Sequence, residues 1–309
     1  MTEHGLEAGE PLQAARGLNA LSDRPAAHAA GGCACGGSCG GACPTCTANA
    51  SERAVMNVYA IGQIRANIPN LGMEKEMAQT GLEFKHGLSD EEALVKLLRD
   101  PQHRRLAHEM CWTFAVEDVD LFIIKPSGDF ALSLILDALK PDKAWGNVDV
   151  LIGRMGDRAS MSECNGRPLP VVVPSQVSSL DREALLGALE TPKDLAAEAL
   201  SSAIKQTLDI TLRIGANYGL SAAHRAINYA VTRSAELYVT VAHELLGNWA
   251  LVGLTSRPSA VSAGRTVVDT ILQFRNRKTD AVKRCFMKID VTDLYPFMVS
   301  PIHPFLDFN

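Results

Sequence analysis

Between Gly31 and Cys46 the chain reads GGCACGGSCGGACPTC, which places five of its eight cysteines in sixteen residues otherwise made of Gly and Ala with single Ser, Pro and Thr residues. No core forms from such a stretch: Gly gives up the most backbone entropy on ordering, and nothing bulky offsets that loss. Closely spaced thiols on a pliant backbone can instead bind a metal ion, an iron–sulfur cluster or one another. Residues 1–52 are therefore expected to be a disordered segment, and the fold must come from the rest of the chain.

The chain has 309 residues, 47% of them hydrophobic, enough for two domains of ordinary size. Its net charge is −5 and its Lys and Arg are scattered, so no basic face points to nucleic acid. The opening MTEHGLEAGE is acidic and lacks the charged and apolar regions of a secretory signal. The longest apolar run, Ala131 to Leu139, is broken by Asp137 and falls short of the ~20 residues that cross a bilayer. These features place the chain in the cytoplasm with no membrane partner, where thiols stay reduced.

In that compartment Cys33, Cys35, Cys39, Cys43 and Cys46 read as metal ligands. Cys43-Pro-Thr-Cys46 is a C-x2-C knuckle that lets two thiolates reach one Zn2+ from a tight turn, with Cys39 and either Cys35 or Cys33 to complete a tetrahedron. The spacing is not that of a standard zinc ribbon, and five thiols on a Gly-rich backbone also suit copper(I). A redox-active tail and an extension with incidental thiols stay open beside metal binding. A further reading takes residues 1–32, ending Ala29-Ala30-Gly31-Gly32, as the leader of a ribosomal precursor peptide whose core lies within 33–46.

From Arg53 the composition changes, and an α+β fold is expected, because strands and helices mix without regular βαβ alternation. Val55 to Ile64 reads as a strand. Ser89-Asp90-Glu91-Glu92 is a capping box opening a helix, Pro101 ends it, and a helical stretch runs from His103 to Met110. Strands are expected at Cys111 to Val116, Asp120 to Lys125 and Val148 to Gly153, with a helix at Phe130 to Leu139. Leu169 to Val173, fenced by Pro168 and Pro174, reads as one more short strand. Leu180 to Leu208 is helical by composition, with a fresh start at Pro192. A helix at Ser221 to Arg233 and a strand at Glu236 to His243 come next. Arg265 to Asn276 and Val282 to Thr292 then form an antiparallel hairpin over the polar turn 277–280.

Several strings fall in order along this part: Tyr59-Ala60-Ile61-Gly62, Leu71-x-Met73-Glu74-Lys75-Glu76, Leu106-Ala107-x4-Trp112, Asp149-Val150-x-Ile152-Gly153 and Glu163-Cys164-Asn165-Gly166. Later come His224-Arg225-Ala226-Ile227-Asn228-Tyr229 with Arg233 and Tyr238, Arg257-Pro258-Ser259, and Phe274-x-Asn276-Arg277-x-Thr279-Asp280. From about Val55 to the end the chain thus resembles the domains of unknown function that lie downstream of the subtilisin-like protease in PatA/PatG-type cyanobactin maturation proteins. The resemblance implies two such domains, 53–178 and 179–309, and a role beside enzymes that process ribosomal peptides. No Gly-Thr-Ser-x-Ala serine motif occurs in the sequence, so the resemblance brings no protease or macrocyclase activity with it.

From Arg53 onward the candidate chemistry is sparse. Cys164-Asn165-Gly166 reads as a turn with an accessible thiol, which a second thiol and His108 or His243 could join; Cys111 and Cys285 sit in strands and read as inert. His224 shares a helix face with Asn228, and Arg225 with Tyr229, which offers a binding site or, as readily, packing and capping contacts. His243-Glu244 lacks a second His four residues on, so the zinc-protease pattern is not met. The leading expectation is a non-protease accessory or scaffold protein of cyanobactin-like biosynthesis whose partners are peptide-processing enzymes or a precursor peptide, with a homodimer as a further option. The alternatives are a precursor fused to its recruiting domain, and an enzyme using Cys164 and a histidine.

Overall fold

A strand of twelve residues is too long to be matched by one neighbour in a small sheet, and β1 (Met56–Asn67) divides itself between two. The computed structural model describes residues 56–81, 87–140, 147–190, 192–260 and 264–305; the five clustered cysteines, and the expectation of disorder there, lie outside these. Residues 56–62 of β1 pair antiparallel with β4 (Val148–Arg158), and residues 63–67 pair antiparallel with β2 (Cys111–Val116). The handover falls at Gly62, where a Cβ would lie 2.1 Å from Ala115 O and 2.8 Å from a Phe114 ring carbon. Only a residue without a side chain lets the strands cross so closely.

β3 (Val119–Ile124) and β5 (Pro170–Leu180) complete a closed barrel of order β1-β2-β3-β5-β4, in which β3 and β5 are the one parallel pair. A parallel pair needs a crossover, and here it runs through α4 (Asp129–Ala138) and β4. The result is a five-stranded Greek-key barrel of the OB type. Two buried groups explain its closure. Asp149 is fully buried on β4, where its carboxylate accepts from Ile64 N and from Ser179 Oγ, each at 2.8 Å; it carries the β1–β4 ladder one donor past Gly62. β5 runs straight through Pro174, the expected end of the strand, because the ladder is irregular there and Pro174 faces Gly153.

Outside the barrel, α1 (Leu71–Gly81), α2 (Asp90–Arg99) and α3 (Arg104–Glu109) connect β1 to β2. The capping box at α2 is present in full: Glu92 N donates to Ser89 Oγ (3.2 Å), and Ser89 N to Glu92 Oε2 (2.8 Å). The first core is the barrel interior with these helices, centred on Trp112, Phe114, Phe122, Leu132 and Leu151.

Beyond β5 the chain forms α5 (Arg182–Ala188), α6 (Ala197–Thr211), α7 (Ala222–Arg233) and α8 (Ala235–Leu246), then the antiparallel sheet β6 (Trp249–Pro258), β7 (Val267–Asn276), β8 (Val282–Asp290) and β9 (Phe297–Pro304) in that spatial order. The expected hairpin is β7–β8, its turn held by Asn276 Oδ1 accepting from Lys278 N and Thr279 N. The strand expected at 236–243 is helix α8 instead. Ser234 caps it through Leu237 N (3.3 Å), and Leu237, Tyr238, Val241 and Ala242 fall on one helical face that is buried at 0–1% exposure. The β-branched run Val239-Thr240-Val241 is the misleading signal; burial of the helical face overrides it. This second core, built on α6, α7, α8 and the sheet, also takes in Ile61 and Val148 from the barrel.

Candidate functional site

Helix α7 joins the two cores, and most of the polar residues singled out on it serve that joint. Asn228 is fully buried; its Nδ2 donates to Tyr59 O (2.8 Å) and its Oδ1 accepts from Asn217 Nδ2 (2.7 Å). Tyr59 N donates to Gly219 O (2.9 Å). Gly219 has φ +70°, and a Cβ there would lie 2.2 Å from Tyr59 O, so the 217–219 loop can approach β1 only with glycine. Arg225 is buried as well: Nη1 donates to Val291 O (2.7 Å), and Nη2 to Asp293 O and Leu294 O. It holds the segment between β8 and β9 to the helix. His224 lies in the first turn, where its backbone N–H donates to the capping Ser221 Oγ (3.1 Å) and partial burial lowers the imidazole pKa. His224, Arg225 and Asn228 thus do not converge on one cavity. Tyr229 does face one.

The thiols are also placed otherwise than expected. Cys164 is not a free turn thiol; it forms a disulfide with Cys111, 53 residues away, with Cα atoms 5.1 Å apart. The bond ties the β4–β5 loop to the start of β2, and Asn165 Nδ2 donates to Ile68 O (2.8 Å) beside it. The sequence could not show this pairing, because the two positions meet only when the barrel closes. Cys285 on β8 is half-buried, and burial raises its thiol pKa. His108 pairs with Asp129 (2.7 Å) and His243 with Asp194 (3.6 Å). Among the described residues no group of three His, Cys, Asp or Glu is arranged to hold a metal ion, and no helix is long and apolar enough to cross a membrane.

One cavity without a signature in the sequence opens at the edge of β1. Neighbouring residues in an antiparallel strand turn their N–H and C=O to opposite edges. Tyr59 turns to the edge away from β4, where Gly219 and Asn228 take its N–H and C=O. Gln63 turns to the same edge and pairs with Ala115 of β2. Ile64, on the opposite parity, faces β4 and bonds Asp149. Ile61 stands between Tyr59 and Gln63, so its donor and acceptor face an edge where the loop contact has ended and the β2 ladder has not begun. A cavity of about 620 Å³ fills that gap, walled by Ile61 and Gly62, the β2–β3 turn at Glu117 and Asp118, Asn147, and Leu212 and Ile214 after α6. Asp118 Oδ1 is held by Arg65 Nη2 at 2.6 Å.

A second cavity, about 370 Å³, lies between α7 and the barrel and is lined by Tyr59, Ile152, Gln176, Tyr229, Arg233 and Tyr295. The Tyr59 and Tyr229 rings meet edge to face with centroids 6.4 Å apart.

Residues 57–155 match the family model described as PatG Domain, and residues 195–305 match that described as PatG C-terminal. No curated protein matches the chain. A solved structure described as a PatG domain of unknown function shares the fold, with a TM-score of 0.62 and 20% identity over 81% of this chain and 98% of that one. With both models matched in order and the same fold beneath them, the chain belongs to the PatG-type domains of unknown function.

Proposed function

We propose that this protein is a non-protease accessory of cyanobactin-like biosynthesis that holds a ribosomally made peptide in extended form while partner enzymes act on it. The observation that carries this reading is the cavity that borders β1 at Ile61 and Gly62, between the loop contact at Tyr59 and the β2 ladder that starts at Gln63. A strand edge recognises another main chain and is indifferent to most of its side chains. The cavity beside it has the size of a small-ligand site and largely apolar walls, so it would seat a few side chains of the bound strand. Glu117 at the rim, beside an Asp118 already paired with Arg65, favours a peptide that carries a positive charge there. The likeness to PatG-type domains supplies the biosynthetic setting.

The Cys/Gly-rich segment belongs to the same proposal as a thiolate site for Zn2+ or copper(I), supported by five cysteines within sixteen residues. Its alternative role, as the peptide that is processed, rests on the Gly31-Gly32 step before the first of those cysteines; mass spectrometry of the native chain separates the two, since only a precursor is cut near Gly32.

The test of the slot is fluorescence anisotropy of a labelled cyanobactin precursor peptide titrated with the full chain. Saturable binding is expected, and Ile214→Trp, a half-buried wall position, should weaken it by about tenfold or more without changing the melting temperature. A precursor peptide that binds the Ile214→Trp variant as tightly as the wild type, or that does not bind at all, would defeat the reading.

A further inference from the structure

The geometry points to a second site, in the cavity between α7 and the barrel, for an oxyanion carried on an aromatic ring. It shares no lining residue with the slot at Ile61, and it stands whether or not a peptide binds there. The anion-binding group is Arg233. It lines the cavity, its charge lies close enough to the phenol of Tyr59 to act on it, and among the described residues it has no carboxylate partner.

The order of the hydroxyl protons fixes what Tyr59 presents to Arg233. Thr232 Oγ1 donates its one proton to Asn228 O at 2.8 Å. The 2.5 Å bond between Tyr59 and Thr232 must then be donated by Tyr59. The phenol oxygen is left as an acceptor, with Arg233 close by. Burial also raises the Tyr59 pKa, so this oxygen stays protonated and neutral at physiological pH. A chain of two bonds, from Tyr59 to Thr232 and from Thr232 to Asn228 O, therefore anchors the phenol in the joint between the two cores, and the guanidinium beside it keeps its N–H groups for a ligand. Arg233 sits in the last turn of α7, where a cation also suits the helix dipole, and its charge acts on the phenol on β1.

The rest of the cavity selects for a flat apolar body. The Tyr229 and Tyr295 rings lie around the opening, Tyr295 half exposed, and Ile152 and Gln176 come from β4 and β5 on the barrel side. Aromatic walls hold a ring by edge and face contacts, while a guanidinium takes two oxygens of a carboxylate or a phosphate side by side. The volume, about 370 Å³, is near the lower end for small-molecule sites.

Isothermal titration of the full chain with benzoate, phenyl phosphate, inorganic phosphate and benzamide tests the site. At least one of the two aromatic anions should bind with saturation. Benzamide, which keeps the ring and loses the charge, and inorganic phosphate, which keeps the charge and loses the ring, should each be weaker by about tenfold or more. The ratio of benzoate to phenyl phosphate assigns the natural group to a carboxylate or a phosphate ester. Arg233→Gln, at an exposed position, should remove binding with the melting temperature unchanged, Arg233→Lys should restore only part of it, and Tyr295→Ala should weaken it. Benzamide or inorganic phosphate binding as well as the aromatic anions, binding that survives Arg233→Gln, or no binding of any of the four would each overturn the proposal.

Discussion

The side-chain amide of Asn228 and the backbone carbonyl of Tyr59, 169 residues apart, meet in a buried hydrogen bond of 2.8 Å. With Asn217 and Gly219 it is the polar seam between the barrel and the helices beyond it. Asn228→Leu would strand Tyr59 O and the Asn217 amide in a dry environment, at about 1–3 kcal/mol for each group left unsatisfied. The expected outcome in urea titration is a midpoint shift worth roughly 3 kcal/mol, with Asn228→Asp intermediate. A variant as stable as the wild type would show that the two cores do not depend on this seam.

Gly219 and Gly264 have almost the same backbone conformation, φ +70° and +72°, but only Gly219 lies against another chain segment. Gly264→Ala should cost about 1 kcal/mol, the ordinary penalty of a side chain in the left-handed region. Gly219→Ala adds a clash with Tyr59 O and should cost several kcal/mol or prevent folding. Thermal melts of the two variants side by side separate conformational strain from crowding.

The Cys111–Cys164 bond closes a loop with a sequence separation of 53, for which chain entropy predicts stabilisation of about 4 kcal/mol. Non-reducing peptide mapping should recover the two cysteines in one linked fragment. Treatment with dithiothreitol should lower the denaturation midpoint, and Cys111→Ser with Cys164→Ser should reproduce that loss. Two separate thiol-alkylated fragments from protein purified without reductant would show that the cysteines are apart.

Asp290 titrates differently in the folded and unfolded chain. Burial opposes its charge, but hydrogen bonds from Arg265 and from the backbone and side chain of Thr292 outweigh that cost and hold its pKa at about 2. A depressed carboxylate pKa contributes stability that is complete above the unfolded value, about 4, and lost as pH falls towards 2. Stability should therefore drop across that interval, and Asp290→Asn should flatten the drop while lowering stability at neutral pH. Equal acid sensitivity in variant and wild type would dismiss Asp290 as a contributor.

For the thiol-rich segment, protein purified without chelator should carry about one Zn2+ or a few copper(I) ions, measured by mass spectrometry of the metals. Cys43→Ser with Cys46→Ser should lose most of this content. Thiolate ligation releases protons, so binding should weaken steeply on acidification. Unchanged metal in the double variant would exclude the knuckle.

What can be seen in the sequence is local. The Ser89–Glu92 capping box, the β7–β8 hairpin and the helix ending at Arg233 rest on contacts between near neighbours, and the structure has all three. Barrel closure is not visible there, because it depends on Gly62 and Gly153 having no side chain where distant strands cross. The α8 segment reads as a strand because its β-branched residues stand out more than the helical face it buries. Neither cavity is visible: each draws its lining from a span of more than 150 residues of sequence. Of His224, Arg225, Asn228 and Tyr229 on α7, Tyr229 alone lines one of the two cavities, since burial decides whether such a residue meets a ligand or a neighbouring loop.

The one parallel pair of the barrel has a consequence for how this protein is made. The first family match ends at residue 155, yet the strand that joins β3 to β4 is Pro170–Leu180. As the chain leaves the ribosome, β3 and β4 each wait with one edge unpaired until β5 has emerged, and unpaired edges are where nascent chains stick to one another. A fragment cut at the end of the matched region would keep both edges open for good. It would be a seed for aggregation and not a small domain, and any dissection of this protein has to carry the chain at least through Leu180.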